Sequence, residues 1–169
     1  MAQRGGAVQA SVIIDAGISP VIASGRADCV LGFEPVETAR ALPLMSSRTV
    51  VYMNTTPIIP YVLGQRYVLK EGQADYPNVK LLKDSIRRVT SHTFAFDATQ
   101  TALRAGSITT LNMVMLGRLL GSGMLPCSAS DFWVLAAGRI PPALAEKNTK
   151  AFLSGVALSR ESRPALRAP

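Results

Sequence analysis

The stretch Ala27–Pro35, with the sequence ADCVLGFEP, decides the fold class. Its short and continuous apolar run is typical of a β-strand that is covered on both faces. Pro35 follows at once, and the first turn of a helix tolerates a residue that lacks an N–H group. The predicted helix runs to about Leu42, and a second β-branched run follows at Arg48–Met53 (RTVVYM). A strand, a helix and a strand with short connections indicate a βαβ unit with parallel strands.

The rest of the chain continues this alternation of strands and helices. Upstream, Ala7–Asp15 has apolar residues with a period of two, which predicts a strand with one wetter face. Downstream, the pattern predicts a possible edge strand at Arg66–Lys70, a helix over Asn78–Thr90, a strand at Thr93–Phe96, a helix from Ala98 to near Gly106, a buried helix over Asn112–Leu120, a helix over Ser130–Ala137 capped by Ser130, and a last helix over Ala143–Leu153 that ends before Gly155. We therefore expect an α/β three-layer domain with a mainly parallel sheet and C-terminal helices.

Length and composition indicate one folded domain. A chain of 169 residues with 48% hydrophobic residues can bury a substantial core. The expected domain spans residues 1–158, and residues 159–169 are expected to form a basic tail. No apolar run reaches the roughly 20 residues that cross a bilayer, and Met1–Gly6 is not followed by the apolar core of a secretory signal. A cytoplasmic protein without a membrane partner is predicted.

The basic charge of the chain does not by itself identify a partner. The formal net charge is +7 and the isoelectric point is about 9.9. Aromatic residues make up only 6% of the chain, and none is interleaved with the basic cluster Lys80, Lys83, Arg87 and Arg88, as base stacking would require. An acidic partner subunit or a phosphate-bearing ligand explains the excess equally well. No nucleic-acid partner is predicted.

The sequence contains no recognisable catalytic constellation of its own. His92 is the single histidine and has no cysteine or acidic pair at ligand spacing, which favours a structural role over a metal ligand or a general base. Cys29 lies inside an apolar run and is predicted to belong to the core. Cys127 follows Pro126 near a helix start and is the more reactive candidate. No metal site is predicted, and catalytic residues stay unassigned.

Three polar segments are better placed to meet a ligand. They are Gln3-Arg4-Gly5-Gly6, Gly32-Phe33-Glu34-Pro35 and Asn54-Thr55-Thr56. In an open α/β sheet, ligands gather beyond the carboxyl ends of the strands, where loops and helix N-termini offer free N–H groups. The alternative for each segment is a turn that needs Gly, Asn or Asp only for its geometry.

Several segments also keep the order of motifs in a known family. They are Met1–Val8 (MAQRGGAV), Ser19–Ile22 (SPVI), Gly25–Thr38 (GRADCVLGFEPVET), Asn54–Pro57 (NTTP), Asn112–Gly117 (NMVMLG) and Glu146–Phe152 (EKNTKAF). Together they resemble the small γ-type subunits of 2-oxoacid:acceptor oxidoreductases, and most of all the indolepyruvate oxidoreductase β subunit. Each match is short, but the ordered set covers nearly the whole chain. Arg26 departs from this pattern, since the family often has Glu there.

The resemblance implies a Rossmann-like domain and a subunit of an enzyme that oxidatively decarboxylates 2-oxoacids, here indolepyruvate or another aryl pyruvate, to acyl-CoA. In that family thiamine diphosphate forms the adduct, iron–sulfur clusters pass electrons to ferredoxin, and the large α-type subunit carries both groups. This chain is therefore expected to bind no cofactor alone and not to be catalytic alone. The alternative is a stand-alone Rossmann-like protein that binds CoA or a nucleotide, or a degenerate paralogue without catalysis.

The resemblance also suggests where this chain meets the cofactors of the complex. The residues concerned are Gln3, Arg4, Gly5, Gly6, Asn54, Thr55 and Asn112. Arg4, Gly5 and Gly6 would face the subunit junction near the thiamine or the CoA. Family members usually carry a strand and a GxGGQG-type turn upstream of this stretch, so the domain is expected to be truncated at its N-terminus relative to the family.

Overall fold

The computed structural model describes residues 8–14, 21–58 and 76–161. The sheet within these ranges contains the parallel strands β1 (Cys29–Gly32), β2 (Val50–Asn54) and β3 (Thr93–Phe96), in the order β1-β2-β3. The helices there are α1 (Pro35–Arg40), α2 (Val79–Val89), α3 (Ala98–Arg104), α4 (Leu111–Gly121), α5 (Ala129–Ala137) and α6 (Pro142–Glu161), with short 3₁₀ helices at Leu42–Leu44 and Ile108–Thr110.

Strand β2 is the centre of the fold, and all five of its residues are buried. Alternate side chains of a strand point to opposite faces of the sheet. Val50 and Tyr52 therefore enter a core that α3, α4 and α6 cover, while Val51 and Met53 enter a second core with Ile86 of α2. The two helical layers on either side of the sheet confirm the predicted three-layer α/β architecture, of the open Rossmann-like kind.

The strands and most helices lie where the sequence predicts them. The predicted strands at 27–33, 48–53 and 93–96 correspond to β1, β2 and β3, and Pro35 opens α1 as expected. Asn78 caps α2, with its side chain accepting from the N–H of Lys80 at 2.9 Å. None of the helices in the described ranges is long and apolar enough to span a membrane.

The prediction of a strand over Ala7–Asp15 is wrong for residues 8–14, the part of this stretch that the structure describes. Residues 8–14 have no regular secondary structure, and Val8 and Val12 are 72% and 77% exposed. A period-two pattern forms a strand only where a neighbouring strand satisfies its main chain, and no described strand pairs with this segment. The predicted edge strand at Arg66–Lys70 lies outside the described residues.

Two helix boundaries also differ from the prediction. Ser128, not Ser130, caps α5, because its Oγ accepts from the N–H of Asp131 at 3.0 Å. Helix α6 does not end before Gly155 but continues to Glu161, so it takes in the first three residues of the predicted tail. Residues 162–169 lie outside the described ranges.

Gly155 continues the helix because it serves the packing of α6 against α4. A Cβ atom at Gly155 would overlap the carbonyl oxygen of Val114 and lie 2.9 Å from the nitrogen of Arg118. Gly117 and Gly121 of α4 meet α6 in the same way, at Phe152 and Ser159. Glycine allows the two backbones to approach this closely, so these residues set the distance between the two main C-terminal helices.

Candidate functional site

The ends of the three described strands meet around the side chain of Asn54, the fully buried last residue of β2. Its Nδ2 donates to the carbonyl oxygen of Phe33, just beyond β1, and to Oγ1 of Thr99, beyond β3, both at 3.0 Å. Its Oδ1 accepts from the main-chain N–H of Ala98 at 3.1 Å. The amide is thus bonded on both sides to the protein itself, at the edge where open α/β sheets bind ligands.

Thr55 and Thr56 continue this connection towards β3. The N–H of Thr55 donates to the carbonyl oxygen of Phe96 at 3.0 Å, and Oγ1 of Thr56 donates to Oδ1 of Asp97 at 2.8 Å. Asp97 also caps α3, since the same oxygen accepts from the N–H of Gln100 at 2.7 Å. Asp97 was not among the predicted site residues, although it stands directly after a strand and before a helix, as a capping residue does.

Glu34 caps the N-terminus of α1, the other helix that begins at this edge. Its buried carboxylate accepts from the N–H of Glu37 at 2.9 Å through Oε2 and from the hydroxyl of Tyr76 through Oε1. Burial, and then the carboxylate of Glu34, raise the pKa of Tyr76 well above its ordinary value. The hydroxyl donates this bond to Glu34 and so holds the segment before α2 against the start of α1. Gly32 lets the side chain of Thr38 in α1 pack against β1, because a Cβ atom at Gly32 would overlap that side chain.

The two described helices that begin at these strand ends do not offer the diphosphate of thiamine diphosphate or of CoA a free N-terminus. A phosphate would need free main-chain N–H groups and the positive end of a helix. The first turns of α1 and α3 instead receive the carboxylates of Glu34 and Asp97. Negative charges in those positions repel an anion. Gln3, Arg4, Gly5 and Gly6, which the family resemblance suggests lie near a cofactor, are outside the described residues.

The remaining residue of the predicted cofactor set lies on a helix. Asn112 is exposed in the first turn of α4, and its Oδ1 accepts from the N–H of Met113 at 3.0 Å. The bonds described here do not join it to Asn54 or Thr55, which are neighbours in the chain at the end of β2. Its assignment to a cofactor stays a prediction.

The two cysteines have different environments in the described residues. Cys29 packs against the larger core, as predicted, and burial, with a smaller effect of Asp28, raises the pKa of its thiol to about 12. Cys127 is exposed. With two cysteines in the whole chain, the usual set of about four thiolates for an iron–sulfur cluster is not available. No group of three or more metal-ligating side chains occurs in residues 8–14, 21–58 and 76–161.

Arg118 is a buried charge that the sequence analysis missed. Its side chain is 3% exposed and leaves the apolar helix α4 towards the sheet. Its guanidinium carbon lies 5.2 Å, 5.3 Å and 5.9 Å from the ring centres of Tyr52, Phe94 and Phe96. Its Nη1 donates to the carbonyl oxygen of Leu158. Aromatic faces stabilise a cation in such a position. The available signal was a lone arginine in an otherwise apolar helix.

The fold and this edge define a Rossmann-like α/β domain whose described strand ends are tied by the protein's own side chains. Such an edge can position a neighbouring segment but holds no described catalytic group. The chain belongs to the pyruvate ferredoxin/flavodoxin oxidoreductase family, whose sequence model matches residues 1–158. This membership confirms the resemblance to 2-oxoacid oxidoreductases and makes the chain a component of an oxidoreductase.

Individual relatives are similar over almost the whole chain. The indolepyruvate oxidoreductase subunit IorB of Methanothermobacter thermautotrophicus is 34% identical over 162 residues, which are 96% of this chain and 80% of the relative. The proteins of the same name from Pyrococcus horikoshii and Archaeoglobus fulgidus are 32% and 30% identical, over 95% and 97% of this chain and 78% and 79% of the relatives. No solved structure matches the chain significantly.

Proposed function

We propose that this chain is the small subunit of a thiamine-diphosphate-dependent 2-oxoacid:ferredoxin oxidoreductase. Its substrate is indolepyruvate or another aryl pyruvate, which the complex decarboxylates oxidatively to the acyl-CoA. The large α-type subunit carries the thiamine diphosphate and the iron–sulfur clusters, and ferredoxin accepts the electrons. The complex works in the cytoplasm. The observation that carries this proposal is the similarity to indolepyruvate oxidoreductase subunits over 96% of the chain.

The strand-end geometry agrees with a division of labour between the two subunits. The carboxylates of Glu34 and Asp97 cap α1 and α3, so neither of these two described helices offers a phosphate-bearing ligand a free N-terminus at this edge. The same observation counts against a stand-alone CoA- or nucleotide-binding protein. In our proposal Gln3, Arg4, Gly5 and Gly6 face the subunit junction near the thiamine or the CoA. Asn54 and Thr55 hold the adjoining strand ends in place for that junction.

The experiment is a reconstitution with the large subunit from the same genome. We expect the two chains to co-purify and to reduce a viologen dye only when indolepyruvate and CoA are both present. Each subunit alone should be inactive. No association, or no oxoacid-dependent reduction by the pair, would refute the proposed function. Stabilisation of the isolated chain by CoA alone would instead favour the stand-alone alternative.

A pair of arginine variants tests the proposed place of the cofactor. Arg4→Ala should lower kcat/KM of the complex about tenfold or more, because it removes a charge-assisted contact to an anionic group. Arg26→Ala is the matched control, since Arg26 is exposed and precedes β1, away from the carboxyl ends of the strands. Equal activity of both variants would remove Arg4 from the site without affecting the assignment of the subunit.

A further inference from the structure

Strand β3 lies at one margin of the described sheet. The carbonyl oxygens of His92 and Phe96 accept from Val51 and Thr55 at 2.9 Å and 3.0 Å, so these residues of the β3 segment direct their main-chain groups towards β2. Alternate residues of a strand point their N–H and C=O groups to opposite sides. Thr93 and Ala95 therefore direct theirs outward. A margin of this kind can pair with a further strand.

A groove runs along this margin. It has a volume of about 270 Å³ and is lined by all four residues of β3, by Arg87 of α2 on one side, and by Arg118 of α4 and Leu158 of α6 on the other. Because residues from both helical layers line it, the strand margin is recessed between the layers. An extended peptide can enter such a groove and pair with the main chain at its floor.

The charge around the groove indicates which peptide it fits. Both charged residues that line it are arginines, and α2 carries four basic residues against one acidic residue, Asp84. Arg87 is exposed at the rim. This charge favours an extended segment with carboxylates. A second copy of β3 fits the groove less well, because two symmetry-related copies would bring Arg87 near its own equivalent. Residues 162–169 of the chain also fit less well, because they contain two arginines and no acidic residue.

We propose that the outer margin of β3 binds an extended acidic segment of the large subunit, which adds a fourth strand to the described sheet. The segment pairs with the outward N–H and C=O groups of Thr93 and Ala95, and a carboxylate of the segment meets Arg87. This inference rests on the proposed function, because it takes the large subunit as the partner. It explains why a basic helix flanks the margin of the described sheet.

The test compares two charge reversals in the full chain. Arg87→Glu should raise the dissociation constant of the two subunits about tenfold or more, since it replaces an attraction with a repulsion at the rim. Arg139→Glu is the matched control: Arg139 is also exposed, follows α5 and does not line the groove. It should change the constant less than about threefold. Equal effects of both variants, or none, would overturn the proposal.

Main-chain pairing has its own test. Ala95→Pro removes an outward N–H without removing a bond to β2, a change that a strand margin tolerates. It should weaken association about tenfold or more, and the melting temperature of the isolated variant shows whether it folds. In the wild-type chain, hydrogen exchange at Thr93 and Ala95 should slow when the large subunit binds.

The outcomes separate this inference from the proposed function. If the wild-type subunits form an active complex but exchange at Thr93 and Ala95 does not change, the proposed function stands and the groove has another role. If both amides are already protected in the isolated chain, its own residues or a second copy occupy the margin, and the inference is wrong. If no complex forms, the proposed function and the inference fail together.

Discussion

Replacement of Asn54 by alanine tests whether this one side chain holds the strand ends together. The change removes the hydrogen bonds to the Phe33 carbonyl oxygen and Thr99 Oγ1, at 3.0 Å each, and from the Ala98 N–H at 3.1 Å. The hydroxyl of Thr99 can rotate to another partner, but the main-chain groups of Phe33 and Ala98 cannot. At about 1–3 kcal/mol for each of these two groups left without a partner, the free energy of unfolding should fall by about 2–6 kcal/mol.

The assay is urea denaturation of the full chain followed by circular dichroism at 25 °C. Asn112→Ala is the matched control, because Asn112 is exposed and its side chain bonds only the neighbouring Met113 N–H in the described contacts. The control should change the free energy of unfolding by less than about 0.5 kcal/mol. A loss below about 1 kcal/mol for Asn54→Ala, or equal losses for both variants, would show that the strand ends do not depend on Asn54.

Two further predictions concern packing and reactivity. Gly155→Ala should lower the free energy of unfolding, measured by urea denaturation, by about 1–3 kcal/mol, because the added methyl group meets the backbone of α4. Gly138→Ala is the control and should leave it unchanged, because a methyl group there meets nothing within 4 Å. Equal stabilities of the two variants would refute the close packing of α4 and α6. With a thiol pKa of about 12, Cys29 stays protonated at pH 8 and should resist iodoacetamide in the folded chain. Exposed Cys127 should react, and mass spectrometry showing equal labelling of both would contradict the burial of Cys29.

Local sequence signals predicted the elements whose structure depends on neighbours in the chain. The apolar run before Pro35 became β1 and α1, and the spacing of apolar residues from Asn78 to Thr90 gave α2 its ends to within one residue. Such signals work because a covered strand and an amphipathic helix each have their own period. The fold class followed from the order of these elements.

The errors arose where a tertiary contact decides the outcome. Gly155 was predicted to follow the end of a helix, as glycine often does, but its close contact with Val114 places it inside α6. Apolar residues alternate over 8–14 with the period of a strand, but no described strand pairs with this segment.

The candidate site was predicted only in part, for the same reason. Asn54 was recognised as polar and at a strand end, but the choice between a turn residue and a ligand residue depended on Phe33 and Thr99, which lie 21 and 45 positions away. Arg118 could not be placed from sequence, because the three rings around it come from two different strands.

The central claim is that this chain completes an oxidoreductase that its partner cannot form alone. The most direct measurement is the rate of indolepyruvate- and CoA-dependent viologen reduction while this chain is titrated into a fixed amount of the large subunit. We expect no rate without the chain and a rise that saturates when the two subunits are present in stoichiometric amounts. A rate that is independent of added chain would contradict the claim.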